Sequence, residues 1–269
     1  MLIMLPDIRL NARLTGPVGA PVLVLAHALG CDLTIWDGVA DLLQDRFRIL
    51  AYDHRGHGKS DVPNPPYAMG ALIRDLERLM DHFALKDAVV IGVSLGGLVA
   101  QRLAVKRLDL VRALVLSNTA ARIGTPELWQ DRVAEVRQTG LDTYAATAMQ
   151  RILGPAWQTN PALPFLRGLL TGTHPDGWAG CAAAIGGCDF YTTTAALRLP
   201  TLAIAGANDG STPPDLVRET ADLIPGHRFA LMRGVGHLPM VEKPAEYAAL
   251  LETFLADIGH TPDHRGPHA

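Results

Sequence analysis

The chain has no apolar run of about 18 residues, which argues against a membrane-spanning helix. Its first residues lack a basic region followed by an apolar core and a cleavage site, so no secretory signal is expected. Cysteine is scarce: Cys31, Cys181 and Cys188 are odd in number and show no C-x-x-C spacing. That argues against a zinc site or a disulfide framework and points to reduced thiols in a cytoplasmic protein. A dominant charge is missing too: 24 basic and 27 acidic side chains give a net charge of −3, so nucleic acid is not an expected partner. No repeat of fixed period is visible. What remains, at 269 residues, 48% hydrophobic and 19% charged, suits a soluble enzyme with a sizeable core, built as one large α/β domain or two small ones.

Apolar runs mark the strands. Residues 1–16 read as two short strands, with period-two alternation over Asp7–Leu14. Pro21–His27, Arg48–Asp53, Ala88–Ile91, Val111–Ser117 and Thr201–Gly206 are continuous apolar runs, the pattern of strands buried on both faces. Helical spacing separates them over 36–43 and 69–84, the latter with Leu72, Leu76, Leu79, Met80 and Phe83 on one face. This β-α-β-α-β rhythm predicts a mostly parallel sheet with helices on both faces.

The rhythm breaks between residues 120 and 195, where no strand is expected. Four helical pieces, Glu127–Gln138, Asp142–Leu153, Ala162–Leu170 and Gly177–Ile185, are separated by Gly and Pro, as at Gly140 and Gly154-Pro155. The expected organisation is a core over 1–119 and 196–258 with a helical cap over 120–195. A helix near 213–224, a strand near 228–232 and a helix near 244–257 close the core. The Pro-, His- and Gly-rich end, 259–269, reads as a disordered tail; His260, His264 and His268 are taken as part of it and not as a metal tract.

Gly92-Val93-Ser94-Leu95-Gly96 stands between an apolar strand and a helix-like run. A strand that reverses into a helix through G-x-S-x-G holds its serine hydroxyl clear at the top of a sheet. The bland alternative is a serine that merely caps a helix. A nucleophilic serine needs a base, and the base needs a carboxylate to fix its tautomer. In such sheets the order is Ser, Asp or Glu, then His, each on a loop after a strand. Asp209, in Gly206-Ala207-Asn208-Asp209-Gly210, follows a strand directly and is the expected acid; an Asx-turn is the competing role. His237, in Gly234-Val235-Gly236-His237, follows the last strand and is the expected base. Glu242, five residues on, is expected to cap or pair. The oxyanion hole would use the backbone N–H groups of Leu95 and Leu29. His27 is read as a buried scaffold residue, Asp53 and Arg55 as a loop-bracing pair, and Cys31 as a buried free thiol.

His27-Ala28-Leu29-Gly30, Asp53-His54-Arg55-Gly56-His57-Gly58-Lys59-Ser60, the Ser94 turn, Asp209 and Gly236-His237 together resemble the α/β-hydrolase superfamily across nearly the whole chain. Leu116–Trp129, Gly177–Ile185 and Leu29–Trp36 further resemble 3-oxoadipate enol-lactonases. That resemblance implies an α/β-hydrolase fold and serine-dependent opening of a small carboxylated lactone in the β-ketoadipate route of aromatic breakdown, with no cofactor and no metal. His27-Ala28, Arg151–Trp157 and Leu238-Pro239 depart from the enol-lactonase pattern. The substrate carboxylate asks for a cation or several donors. Arg122, Trp129 and Arg132 are the candidates in the insertion, against a plain reading as surface residues of amphipathic helices. A broad carboxylesterase, a perhydrolase, a C–C bond hydrolase and a hydrolase-fold ligand receptor stay open, as does a homo-oligomer.

Overall fold

The structure is a computed structural model and describes residues 1–262. Two short N-terminal strands, β1 (Leu2–Met4) and β2 (Arg9–Thr15), pair antiparallel, and β2 continues antiparallel onto β4 (Arg48–Tyr52). From there the sheet is parallel through β3 (Val22–Ala26), β5 (Ala88–Val93), β6 (Val111–Ser117), β7 (Thr201–Gly206) and β8 (Arg228–Met232). The order among the described residues is β1-β2-β4-β3-β5-β6-β7-β8. Every residue of β3, β5 and β7 is buried, as their unbroken apolar runs require, whereas β8 at the edge is largely wet.

The covering helices of the core are α1 (Asp37–Leu43), α2 (Met69–His82) and α3 (Leu95–Lys106). Between β6 and β7 no strand occurs among the described residues. That stretch holds α4 (Pro126–Ile152), α5 (Leu163–Gly172), α6 (Pro175–Gly186) and α7 (Tyr191–Ala195). The two helices expected over 127–153 are both present: α4 consists of two helical pieces that meet at Gly140, whose φ of +82° and ψ of +163° are not helical. The last stretch adds α8 (Pro214–Asp222), a one-turn α9 (Pro239–Glu242) and α10 (Pro244–Asp257).

Strand order reverses between β3 and β5: the chain passes from β3 outward to β4, then returns to β5 on the other side. A crevice opens at the carboxyl ends of two strands that lead away in opposite directions. The loops after β3 and β5 carry Leu29 and Ser94 to that place. At the C-terminal end, residues 259–262 of the expected tail are among the described residues. His260 is buried, with its ring Nε2 3.0 Å from the Val22 carbonyl. His264 and His268 lie outside the described residues.

Candidate active site

Ser94 occupies the turn between β5 and α3 with φ +55° and ψ −115°, a conformation that costs a non-glycine residue roughly 1–3 kcal/mol. The surroundings hold it there. A Cβ on Gly92 would lie 2.3 Å from the Gly96 carbonyl oxygen, and one on Gly96 would lie 2.2 Å from that of Ala26. The Ser94 N–H donates to the Ser117 carbonyl at 3.1 Å, and its carbonyl accepts from Thr119 Oγ1 at 2.7 Å. Strand, helix and the neighbouring β6 loop thus fix the turn from three sides.

Asp209 and His237, 28 residues apart, meet after β7 and β8: His237 Nδ1 lies 2.7 Å from Asp209 Oδ2. The same carboxylate oxygen accepts from Thr212 Oγ1 at 2.6 Å and from Asn118 Nδ2 at 2.8 Å, while Oδ1 accepts from the Ser211 N–H at 2.7 Å. Burial pushes this carboxyl's pKa up, but the His237 ring and the donors outweigh it and hold the group below its ordinary value. Asn118, which the sequence reading did not single out, also donates to the Gly236 carbonyl at 3.2 Å, tying the acid loop to the base loop. Its place at the carboxyl end of β6 was the available signal.

Glu242 accepts from the Gly236 N–H at 2.8 Å and from the Gly154 N–H at 2.9 Å. The expected pairing role is therefore made with backbone, and it bridges the loop before His237 to the end of α4. Two further bonds follow the same seam: His237 N–H to the Ile152 carbonyl, and Gly210 N–H to the Arg151 carbonyl.

Ser94 and His237 line one cavity of about 60 Å³ with Leu29, Trp129, Arg132 and Arg151. The N–H groups of Leu29 and Leu95 make no hydrogen bond among the described residues. Leu95 opens α3, where unpaired N–H groups and the helix dipole favour negative charge. The loop behind Leu29 rests on buried neutral histidines. His27 Nε2 accepts from the His54 N–H at 2.9 Å, and His57 Nε2 accepts from the Gly30 N–H at 3.0 Å. Burial drives His27 down to about 4 and His57 to about 3, so both rings stay acceptors.

Two expectations need correction. Asp53 and Arg55 do not pair with each other. Asp53 accepts from the N–H groups of Leu33 and Lys59, and Arg55 forms a two-point ion pair, 2.7 Å at each contact, with Asp75 on α2. A buried carboxylate with local N–H donors has no need of the cation, which finds its partner across the fold. Arg122 lies outside the cavity. It is partly exposed, donates to the Gly124 carbonyl at 3.3 Å and approaches Asp189 at 3.8 Å. Trp129 and Arg132 do face the cavity, and so do Arg151 and Tyr144, which sequence reasoning missed. Cys31 lines it as a buried thiol whose pKa burial raises to about 12.

A sequence profile of the alpha/beta hydrolase fold matches residues 21–244, and the chain belongs to that family. Within the family it is similar to enol-lactonases. It is 34% identical over 208 residues to 3-oxoadipate enol-lactonase 2 of Acinetobacter baylyi, covering 77% of this chain and 78% of the relative. The enol-lactonase of Burkholderia xenovorans superposes with a TM-score of 0.91 at 31% identity, over 95% of this chain and all (100%) of that one. A thermophilic esterase of Thermogutta terrifontis, solved with malate bound, gives a TM-score of 0.88 at 31% identity, over 96% and 97% of the two chains. These likenesses make the chain a hydrolase by family. No helix among the described residues is long and apolar enough to cross a membrane.

Proposed function

We propose that the chain opens a small carboxylated lactone of the 3-oxoadipate enol-lactone type through an acyl-enzyme on Ser94. The observation that carries the reading is the 2.7 Å Asp209–His237 pair feeding the cavity that holds Ser94. His237 takes the hydroxyl proton as Ser94 Oγ attacks the lactone carbonyl, and Asp209 holds the Nδ1 proton and supports the imidazolium. The N–H groups of Leu29 and Leu95 receive the oxyanion. Collapse breaks the ring C–O bond and releases an enolate, a better leaving group than an alkoxide; it stays tethered to the acyl chain and takes the proton from the His237 imidazolium, which returns to neutral imidazole. Water, deprotonated by His237, then attacks the ester and frees Ser94. The cycle uses no cofactor and no metal.

Similarity to enol-lactonases supports the lactone, and the malate in the esterase relative supports a dicarboxylate-sized ligand. In this reading the protein serves aromatic degradation in the cytoplasm, consistent with its three unpaired cysteines. The esterase relative favours a second reading, a broad carboxylesterase on small esters.

Turnover of the enol-lactone against that of p-nitrophenyl acetate separates the two. The lactonase reading expects kcat/KM for the lactone to exceed that for the acetate, and both to fall at least about 10³-fold in Ser94→Ala. Preference for the acetate would select the esterase, and undiminished turnover by Ser94→Ala would remove the serine mechanism.

A further inference from the structure

Two spaces border the inserted helices. One, about 60 Å³, holds Ser94; the other, about 580 Å³, is walled by Val133 and Ala134 of α4, Ala179 and Ala183 of α6, and Pro65-Pro66. Among the described residues, Trp129 is the one residue that lines both. The larger space opens to solvent, because Gln130, Ala134, Arg137 and Gly187 in its lining are exposed. The indole has a defined seat. It is buried, and its Nε1 donates to the Ile123 carbonyl at 2.6 Å. A Cβ on Gly186 would lie 2.9 Å from the Trp129 Cβ, and one on Gly124 would lie 3.3 Å from Nε1, so glycine at both positions leaves the ring its room.

With its one polar atom paired to backbone, the indole turns apolar carbon to whatever lies beside it. The side chains lining the larger space are likewise apolar, save for Gln130 and Arg137. Such a surface favours hydrocarbon: each methylene moved from water onto an apolar wall tightens binding about 4-fold. Hydrocarbon that extends from an acyl group on Ser94 would gain this contact only where the ring of Trp129 does not occupy the way.

We propose that Trp129 is a specificity-determining residue: its indole partitions the Ser94 cavity from the larger space, which restricts the enzyme to short acyl groups. The space beyond it is a subsite for an unbranched acyl chain, closed by this one side chain. The inference rests on the acyl-enzyme reading and adds the substrate length that the site admits. Discrimination by hydrocarbon bulk accumulates methylene by methylene, so acyl length is the variable that reads it.

The test uses p-nitrophenyl acetate and p-nitrophenyl octanoate with the full-length protein. Both are neutral and share a leaving group, so any effect on Ser94, or on Arg132 whose guanidinium stacks 4.7 Å from the Trp129 ring centre, cancels in their ratio. For the wild type, kcat/KM for the octanoate should lie at least about 10-fold below that for the acetate. In Trp129→Ala the octanoate-to-acetate ratio should rise at least about 30-fold, the gain of two to three methylenes. Ala183 lines the larger space and not the Ser94 cavity. Ala183→Phe should therefore leave acetate turnover unchanged and, combined with Trp129→Ala, return the ratio toward the wild-type value. If Trp129→Ala does not fold, Trp129→Leu takes its place with an expected rise of about 10-fold. A wild-type ratio of one or more, a ratio unchanged in the folded Trp129 variant, or a gain that survives Ala183→Phe would overturn the partition while leaving the serine chemistry in place. If the wild type cleaves neither ester, the acyl-enzyme reading fails, and calorimetry with the octanoate anion decides alone. Trp129→Ala should then bind it at least about 10-fold more tightly than the wild type, and equal binding overturns the partition as well.

Discussion

His27, His54 and His57 stand behind the loop that presents Leu29, and their neutrality is built into their bonds. His27 Nδ1 lies 2.7 Å from the Ala28 carbonyl and His57 Nδ1 lies 3.2 Å from that of Arg55, so in each ring the proton sits on Nδ1 and Nε2 accepts. In the unfolded chain such rings titrate near pH 6.5; in the fold His27 titrates near 4, His57 near 3, and His54 well below its usual value. Between those limits the unfolded state carries the extra protons. Stability is therefore full above about pH 6.5 and is lost as pH falls, by about 1.4 kcal/mol per pH unit for each histidine. Asp53, Asp75 and Glu242, raised by burial, take up protons in the fold and oppose the trend. A comparison isolates one residue. Urea titrations of wild type and His57→Gln between pH 5 and 6.5 should differ in slope by about one proton per molecule. Parallel slopes would mean that His57 is already solvated in the fold.

Among the elements, the seam between α4 and the loop before His237 carries the most consequence. Glu242 joins it by accepting two buried N–H groups, Gly154 from α4's end and Gly236 from the base loop. Glu242→Ala leaves both donors unpaired, at roughly 1–3 kcal/mol each. We expect a loss of about 2–5 kcal/mol by urea denaturation, with kcat reduced because His237 loses its register. A loss below about 1 kcal/mol would show that water or relaxation replaces the carboxylate. The sequence discloses only one side of this seam. The parallel strands were legible because runs such as Val22–Ala26 and Ala88–Val93 are apolar throughout. Glycines at 92 and 96 marked the turn, and chain order marked Asp209 and His237. The one-turn α9 and the five-residue α7 are too short to show periodicity. Arg132 was a candidate in the sequence and Arg151 was not, since only the break at Gly140 brings the two to one cavity. Asp75, 20 residues past Arg55, was equally invisible as its partner.

At the scale of the molecule, loops of an eight-stranded sheet carry Ser94, Asp209 and His237, and helices inserted between β6 and β7 line the cavity beside Ser94. The cavity beside Ser94, about 60 Å³, is small against the roughly 300–1,000 Å³ of ordinary ligand sites. Trp129 also lines a second space of about 580 Å³, together with other residues of α4, residues of α6 and Pro65-Pro66. Its Nε1 donates to the Ile123 carbonyl at 2.6 Å. Residues of α4 line both spaces. In the proposed mechanism the opened substrate is, for one step, covalently attached to Ser94. Rapid acid quench of the enzyme with excess enol-lactone, followed by peptide mass spectrometry, tests it most directly. The expected result is a peptide containing Ser94 heavier by the full mass of the lactone, present at early times and absent from Ser94→Ala. Steady turnover with an unmodified Ser94 peptide at every time, or the adduct on another residue, would contradict it.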